Sequence, residues 1–275
     1  MSAADVNVDG YVLQRSSAEY QRLSKQALLW EPATRQAIAR TGLAAGMSAL
    51  DIGCGTGAVM RLMGEVVGAQ GQVVGVDGDG RLGREAVQLL SADGPDIYRF
   101  VEADVTKVES IEGQQFDLVF ARLLVVHMPD PIEALRRFWS WVKPGGSLLI
   151  MDLDLTVTRY FPHSEVLSHA SDLFRTLVAG LGKDVEIGAR MPELCRRAGI
   201  GVPESCDVAS MVKLMEAGGG NLRAALASVR EGALAKKLVD VETLDATDAR
   251  LSATPANQTF GRWYDLIGTW KRKPS

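Results

Sequence analysis

Ala49-Leu50-Asp51-Ile52-Gly53-Cys54-Gly55-Thr56-Gly57 is the stretch that decides the fold of this chain. A short apolar run ends in a cluster of three glycines, and apolar residues then recur at helical spacing from Val59 to Val67. Glycines let the backbone turn sharply after a strand and let a ligand approach main-chain N–H groups where a helix begins. The stretch therefore predicts a strand, a tight loop and a helix, with a site for a nucleotide-like ligand at the loop.

Further β-branched runs follow the glycine cluster and alternate with amphipathic stretches, a pattern that predicts βαβ units and a parallel sheet. We expect strands at 47–52, 72–77, 96–101, 116–121 and, after a turn at Lys143-Pro144-Gly145-Gly146, at 146–151. The run at 264–270 predicts a last antiparallel strand. The expected fold class is α/β, a Rossmann-like doubly wound sheet of about seven strands. It is mostly parallel with an antiparallel C-terminal strand, and carries a helical N-terminal arm and a helical cap.

The periodicity divides the chain into four regions. Capping-box spacing at Ser16-Ser17-Ala18-Glu19 and the helix-starting Pro32 predict a helical arm over 1–45. The strand and helix alternation defines a core over 46–154. The mainly helical pattern of 155–255 predicts a cap or substrate region, including a helix and a strand of the core near 188–210, and 256–275 returns to the sheet.

Composition limits the classes of function. The 275 residues carry 34 acidic and 30 basic side chains, so no bulk positive field exists to attract nucleic acid or an anionic membrane. Cys54, Cys195 and Cys206 are widely separated and lack CxxC spacing, which favours neither disulfides nor a zinc site. No signal peptide and no apolar run of membrane-spanning length is evident. We expect a cytoplasmic protein with a small-molecule substrate, without a catalytic metal and without nucleic-acid or membrane partners.

Acidic residues follow the second and third expected strands, namely Asp77 and Asp104. Ligands of open α/β sheets bind beyond the carboxyl ends of the strands, where both side chains would meet the glycine loop. On position alone, each acid could equally be a solvated carboxylate or a helix cap. The run from Gly53 to Ala58 also satisfies the GxGxxA form of the dinucleotide fingerprint, so a nicotinamide-dependent dehydrogenase stays an alternative.

Four motifs in order along the chain resemble those of the class I S-adenosylmethionine-dependent methyltransferases. They are Ala49 to Gly57, Val74-Gly75-Val76-Asp77, Glu102-Ala103-Asp104-Val105 and Phe116 to Ala121. The resemblance implies S-adenosylmethionine as the cofactor. It also implies that the glycine loop lies against the methionyl part and the ribose, through Asp51, Gly53, Gly55 and Gly57.

The resemblance implies a role for each remaining cofactor residue. Asp77 would accept hydrogen bonds from the ribose hydroxyls, and Gly78 follows it where the family usually has an apolar residue beside the adenine. The Asp104 side chain would receive the adenine amino group, with Val105 near the ring. The backbone of Ala121 would face the methionyl amine.

Three other segments resemble a bacterial subgroup of the family that often modifies specialised metabolites. They are Leu123 to Pro131, the Lys143 to Gly146 turn and Trp270 to Pro274. In that subgroup the N-terminal helices close over the cofactor, which makes Tyr20 and Arg22 further candidates to touch it.

The implied reaction is methyl transfer to an O, N or C atom of a small, partly apolar metabolite under the cap. Apolar residues of the cap region could line that pocket or form the cap's own core; they include Leu167, Leu173, Phe174, Leu177 and Met211. His127 follows the fourth strand, where its imidazole could deprotonate the acceptor or, equally, fix the local turn. His163 is a further candidate for contact with the substrate.

Other functions stay open at this point. A protein of this fold can keep the cofactor site yet catalyse a cyclisation or another rearrangement, because the fold does not fix the chemistry. A binding module without catalysis is a further reading, and a homodimer is compatible with the sequence.

Overall fold

Residues 27–92 and 94–275, which the computed structural model describes, build one eight-stranded sheet with helices on both faces. The strands are β1 (Ser48–Ile52), β2 (Gln72–Asp77), β3 (Tyr98–Glu102), β4 (Phe116–Arg122), β5 (Val142–Asp154), β6 (Arg159–Phe161), β7 (Ser205–Leu214) and β8 (Phe260–Arg272). The helices are α1 (Glu31–Arg40), α2 (Ala58–Val67), α3 (Gly80–Ser91), α4 (Pro131–Ser140), α5 (Glu165–Gly180), α6 (Ile187–Arg197), α7 (Gly220–Ala235) and α8 (Val241–Ser252). The capping box at 16–19, Tyr20 and Arg22 lie outside the described residues.

The sheet is parallel through its first five strands, in the order β3-β2-β1-β4-β5, and β8 then pairs antiparallel with β5. Strand β7 pairs with nearly the whole length of β8, so β5 and the short β6 share the other edge of β8. The predicted Rossmann-like sheet with an antiparallel C-terminal strand is confirmed. The eighth strand, β6, was not expected, because three residues are too short a run to show a strand pattern.

Each face of the sheet buries its own apolar cluster, which makes the fold doubly wound. On one face Leu135 of α4 and Ile187 of α6 pack with Leu50 and Val119. On the other face α1 and α2 pack against the sheet, and the residues involved include Ile38, Met60, Met63, Phe120 and Leu149. The loops at the carboxyl ends of β1 and β2 lead into α2 and α3, which lie on that second face.

Two strands begin at different residues from those predicted. Strand β3 begins at Tyr98 because the N–H of Ile97 turns back to the carbonyl of Pro95. Strand β5 begins at Val142, so the predicted Lys143 to Gly146 turn lies inside the strand. There Gly145 has a φ of +76° and its N–H donates to the carbonyl of Lys273, a pairing with the chain end that no local pattern reveals.

The cap helices α5, α7 and α8 form a third apolar cluster, in which Leu167 and Leu177 are buried. Phe174 lies against Trp263 of β8, with 6.5 Å between the ring centroids, and so joins the cap to the sheet. The placement of Met211 in the cap is wrong, since it belongs to β7 and packs with the sheet cluster. The core strand was expected to end near residue 210, whereas β7 continues to Leu214.

Candidate functional site

The glycine loop between β1 and α2 depends on glycine at two positions for different reasons. Gly57 has a φ of +74°, and a Cβ there would lie 3.0 Å from the Cβ of Ala86 and 3.1 Å from Leu90 Cδ1. Gly57 therefore lets α2 and α3 approach each other. Gly55 has a φ of +50° and no atom within 4 Å of its ideal Cβ position, so the space in front of it is open to a ligand. Gly53 also has a positive φ, of +70°.

Asp77 at the end of β2 contacts the glycine loop directly. Its Oδ2 accepts the backbone N–H of Gly55 at 3.0 Å, and its Oδ1 accepts the N–H of Asp79 at 2.9 Å. Gly78 lies between them and is half-buried. Asp79 caps α3 by accepting the N–H of Leu82. The acid that follows the second strand is thus held beside the open face of the glycine loop.

Asp51 is a buried carboxylate at the end of β1, only 2% exposed. Its Oδ2 has no hydrogen-bond partner among the described residues. Burial raises the pKa of Asp51 to about 7, with the charge of Arg122 acting in the opposite direction and that of Asp77 adding to the rise. A buried carboxylate oxygen without a donor is costly, so this atom is suited to receive a donor from a ligand.

Asp104 follows β3, and its carboxylate already has donors. Oδ1 accepts the N–H of Thr106 at 3.0 Å and its hydroxyl at 2.6 Å, and Oδ2 lies 2.9 Å from Lys107 Nζ. Burial acts to raise the pKa of Asp104, but the hydrogen bonds from Thr106 and Lys107 outweigh it and lower that pKa overall. Asp104 is thus held by groups two and three residues further along the chain, although two carboxylate oxygens can accept more bonds than these. Val105 beside it is buried.

Ala121 and Arg122 end β4 next to the glycine loop, since Ala121 pairs with Ile52 of β1. Ala121 is fully buried. Sequence reasoning missed Arg122, whose Nη1 donates to Thr34 Oγ1 of α1 at 2.8 Å. The available signal was a charged residue directly after an apolar strand run. Arg122 also lines a cavity of about 430 Å³ that Thr56 of the glycine loop shares.

His127 ends a short 3₁₀ turn, Val125–His127, directly after β4. Backbone groups hold this turn. The N–H of His127 donates to Leu124 O at 2.8 Å, its carbonyl accepts from Lys183 Nζ at 3.2 Å, and the N–H of Val126 donates to the buried carboxylate of Asp152. All three bonds use backbone groups of the turn, and the Nδ1 atom of the imidazole is buried. His163, the other candidate, is exposed in the loop between β6 and α5.

The described residues offer neither a metal site nor a membrane-spanning helix. Between positions 27 and 275, Asp93 excepted, no group of His, Cys, Asp and Glu side chains is placed to hold a metal ion. Within that part of the chain, every helix is too short or too polar to cross a bilayer.

Comparisons with known proteins point to one enzyme class. A methyltransferase domain family matches residues 49–146, which contain the glycine loop, Asp77, Asp104 and Ala121. The O-methyltransferase resE of Aspergillus sclerotiorum is 28% identical over 86% of this chain and 83% of its own length. The ubiquinone/menaquinone biosynthesis C-methyltransferase UbiE of Pseudoalteromonas translucida is 30% identical over 56% of this chain. The phosphoethanolamine N-methyltransferase 2 of Haemonchus contortus, solved with S-adenosyl-L-methionine, superposes over 89% of this chain and 53% of its own at a TM-score of 0.53. At 19% identity, it shows a shared fold.

This chain matches only part of the length of several of these relatives. The match spans 59% of the UbiE protein and 23% of the phosphoethanolamine N-methyltransferase 1 of Triticum aestivum. Their N-, C- and O-methyltransferase names describe different acceptor atoms.

Proposed function

Since the chain belongs to the class I S-adenosylmethionine-dependent methyltransferase family, we propose that it transfers a methyl group to an O, N or C atom of a small, partly apolar metabolite. The observation that carries this proposal is the contact between Asp77 and Gly55, 3.0 Å from carboxylate to N–H, at the open face of the glycine loop. It brings together two residues that the family's motifs assign to one cofactor.

The residues present fit S-adenosylmethionine, the cofactor of the family. Asp51 offers a buried carboxylate oxygen that lacks a donor, and Gly55 leaves space where any side chain would project. When bound, the cofactor supplies a methyl group activated by its sulfonium charge. The chain's own task is then mainly to bind, orient and exclude water, because an in-line displacement depends chiefly on proximity.

We assign the cofactor contacts by strand. The glycines at 53, 55 and 57 cover the methionyl and ribose portions, and Asp77 accepts the ribose hydroxyls with Gly78 beside the adenine. Asp104 accepts the adenine amino group through the capacity left by Thr106 and Lys107, with Val105 below the ring. Ala121 presents backbone to the methionyl amine. The carboxyl ends of β1, β2 and β4 lie at the same end of the sheet, which supports this set of cofactor contacts.

We place the methyl acceptor between the carboxyl ends of these strands and the cap helices. His127 would take the proton of an acceptor hydroxyl or amine. Because Nδ1 is buried, the receiving atom would be Nε2. The position of His127 directly after β4, with its Nδ1 atom buried, supports this role.

Free cysteines support a cytoplasmic location for the enzyme: Cys54 and Cys195 are buried thiols and Cys206 is an exposed one. A role in specialised metabolism and a homodimer stay predictions. Light scattering on a size-exclusion column tests whether the protein is a homodimer.

The first experiment is calorimetric titration with S-adenosylmethionine, S-adenosylhomocysteine and NAD in parallel. Micromolar binding of the two sulfur compounds and none of NAD supports the proposal, whereas binding of NAD alone overturns it. A panel of small phenols, amines and quinones is then incubated with S-adenosylmethionine. Formation of S-adenosylhomocysteine in step with methylated product distinguishes methyl transfer from a rearrangement, which would leave the cofactor unconsumed.

A further inference from the structure

Strand β7 forms an open edge of the sheet. Among the described residues it pairs with β8 alone, although it is ten residues long. The strand itself is regular. Where the register shifts, the two steps from Ser210 to Val212 match three steps along β8, so the extra residue belongs to β8. A long and regular edge strand presents a row of unpaired N–H and carbonyl groups, which can pair with another strand.

The even-numbered residues of β7 direct their backbone groups to the open edge. Met215, directly after the strand, donates its N–H to the carbonyl of Thr259, and its carbonyl accepts the N–H of Asn257. Both partners lie just before β8, so Met215 faces β8. Backbone groups alternate in direction along an antiparallel strand, so those of Leu214, Val212 and every second residue before them point away from β8.

The same even-numbered residues carry exposed apolar side chains on one face. Val208, Val212 and Leu214 are 60%, 56% and 42% exposed. The row continues across the sheet, because Leu214 pairs with Phe260 of β8 and Phe260 with Phe161 of β6, and both phenylalanines are exposed. Apolar side chains gathered beside an open strand edge mark this part of the surface as an interaction site.

Charged side chains lie on the opposite face of β7. Asp207 is half-buried and pairs with Arg40 of α1, with 2.6 Å between Oδ2 and Nε. Lys213 is exposed near the other end of the strand. Asp207 and Lys213 stand three positions before and three positions after Ser210. The strand therefore carries opposite charges placed symmetrically about its middle residue.

We propose that β7 pairs antiparallel with β7 of a second copy of this chain, about a two-fold axis at Ser210, so that two eight-stranded sheets form one continuous sheet. A two-fold interface uses the same patch on both copies, as this strand allows. The inference names a surface for the homodimer and does not depend on the proposed reaction, since β4, β5 and β8 lie between β1 and β7.

This register satisfies the backbone and both faces of the strand together. It places even-numbered residues opposite even-numbered ones, so each pair can exchange backbone hydrogen bonds across the open edge. On one face Val208 stands opposite Val212 of the partner subunit, and β-branched pairs directly across strands stabilise a sheet. On the other face Asp207 stands opposite Lys213 of the partner subunit, and its carboxylate can accept this lysine in addition to Arg40.

The lysine distinguishes this register from the alternatives. A lysine on an edge strand commonly discourages pairing, because its charge is left without a partner in the joined sheet. Pairing about Ser210 instead gives Lys213 a carboxylate on both sides of the two-fold axis. A shift of the register by two residues would remove both ion pairs at once.

Sedimentation velocity over a range of protein concentrations tests the ion pairs. Lys213→Glu places like charges opposite each other twice in the dimer, and so does Asp207→Lys. Each variant alone should raise the dissociation constant of the dimer by about 10-fold or more. An equimolar mixture of the two variants should dimerise as wild type does, because every acid then stands opposite a cation in the mixed dimer.

Arg99→Glu is the matched control, because Arg99 is an exposed cation on β3, the edge strand at the other end of the sheet. It should leave the dissociation constant within about twofold of wild type. A mixture of Lys213→Glu and Asp207→Lys that stays monomeric overturns the register. Wild type that stays monomeric up to about 100 µM overturns the interface. S-adenosylhomocysteine should bind wild type and Lys213→Glu equally, so a failure of cofactor binding is a separate result.

Disulfide trapping tests the same register without changing a charge. Cys206→Ser removes the exposed native thiol, and Ser210→Cys in that background brings two thiols together at the two-fold axis. With oxidised glutathione, this protein should form a covalent dimer on a non-reducing gel. Val208→Cys in the same background is the control, because its two thiols would be about 13 Å apart. A Ser210→Cys protein that forms no covalent dimer, or forms it no faster than Val208→Cys does, overturns the proposal.

Discussion

The carboxylate of Asp77 and the backbone N–H of Gly55 are 3.0 Å apart, although 22 residues separate them in the chain. The bond joins the loop after β1 to the end of β2. Oδ2 of Asp77 thereby accepts a hydrogen bond from the glycine loop. In the function proposed above, the same carboxylate accepts the ribose hydroxyls of the cofactor.

Replacing Asp77 by Ala should weaken S-adenosylhomocysteine binding by about 10-fold or more, because hydrogen bonds to a charged carboxylate are lost. It should also lower the free energy of unfolding, since the N–H groups of Gly55 and Asp79 lose their acceptor. Titration calorimetry and urea unfolding measure the two effects.

Asp240→Ala is the control for Asp77→Ala. Asp240 caps α8 by accepting the N–H of Thr243, remote from the glycine loop. Its loss should lower the free energy of unfolding and leave the affinity unchanged. Equal affinities in wild type and a folded Asp77→Ala protein would remove Asp77 from the cofactor site.

Gly55→Ala and Gly68→Ala form a pair that separates backbone strain from ligand space. Both glycines have positive φ, +50° and +63°, and neither has an atom within 4 Å of its ideal Cβ. Gly55→Ala should cost about 1 kcal/mol of stability through its backbone conformation. Gly68→Ala should cost about 1–3 kcal/mol, because the ψ of −173° at Gly68 places it in a region essentially confined to glycine. Only Gly55→Ala places a methyl group in the ligand space, so it alone should weaken S-adenosylhomocysteine in titration. A similar loss in Gly68→Ala would mean that general destabilisation, and not a filled site, causes the effect.

The part of the site that local patterns encode could be predicted from the sequence. The glycine loop and Asp77 follow directly from strands whose β-branched residues mark them, so their meeting at one sheet edge was foreseeable. The bond between Arg122 and Thr34 was not, since it joins residues 88 positions apart and depends on where α1 docks. The same holds for Gly145, whose partner Lys273 lies at the far end of the chain. Sequence periodicity reports burial within an element and carries no information on which distant element supplies the partner.

His127→Ala should lower kcat by about 100-fold or more with an acceptor that must lose a proton, while leaving S-adenosylhomocysteine affinity unchanged. The physical reason is that the 125–127 turn is held by backbone bonds and by Asp152, so it should survive loss of the imidazole. Steady-state kinetics with the acceptor found in the screen measure kcat. Calorimetry with S-adenosylhomocysteine measures the affinity.

The two other histidines provide the comparison for His127. His163 and His169 are exposed, and alanine at either should leave kcat within about twofold of wild type. If His127→Ala also stays within twofold, His127 is a turn residue and methyl transfer proceeds without it.

Asp51 should make the stability of the ligand-free protein depend on pH. Burial raises its pKa from 3.8 to about 7, so at intermediate pH the folded chain keeps a proton that the unfolded chain has released. The associated stabilisation is complete below 3.8 and is lost as the pH rises through about 7. Asp51→Asn removes this dependence. Across that window its free energy of unfolding should rise relative to wild type, by at most about 4 kcal/mol.

An acid whose pKa is lowered by folding provides a control for the pH effect of Asp51, whose pKa is raised. The backbone N–H of Thr243 lowers the pKa of exposed Asp240 from 3.8, so the stabilisation from that group is lost only as the pH falls below 3.8, and the Asp240→Asn curve should run nearly parallel to that of wild type above about pH 4. Asp152 is buried like Asp51, with a pKa raised to about 7, and remains in both variants, so wild type and Asp51→Asn should share its part of the slope. Urea unfolding of all three proteins between about pH 4 and pH 8 separates these contributions. Parallel curves for wild type and Asp51→Asn would mean that Asp51 is ionised throughout, with a donor supplied to its Oδ2 even before the cofactor binds.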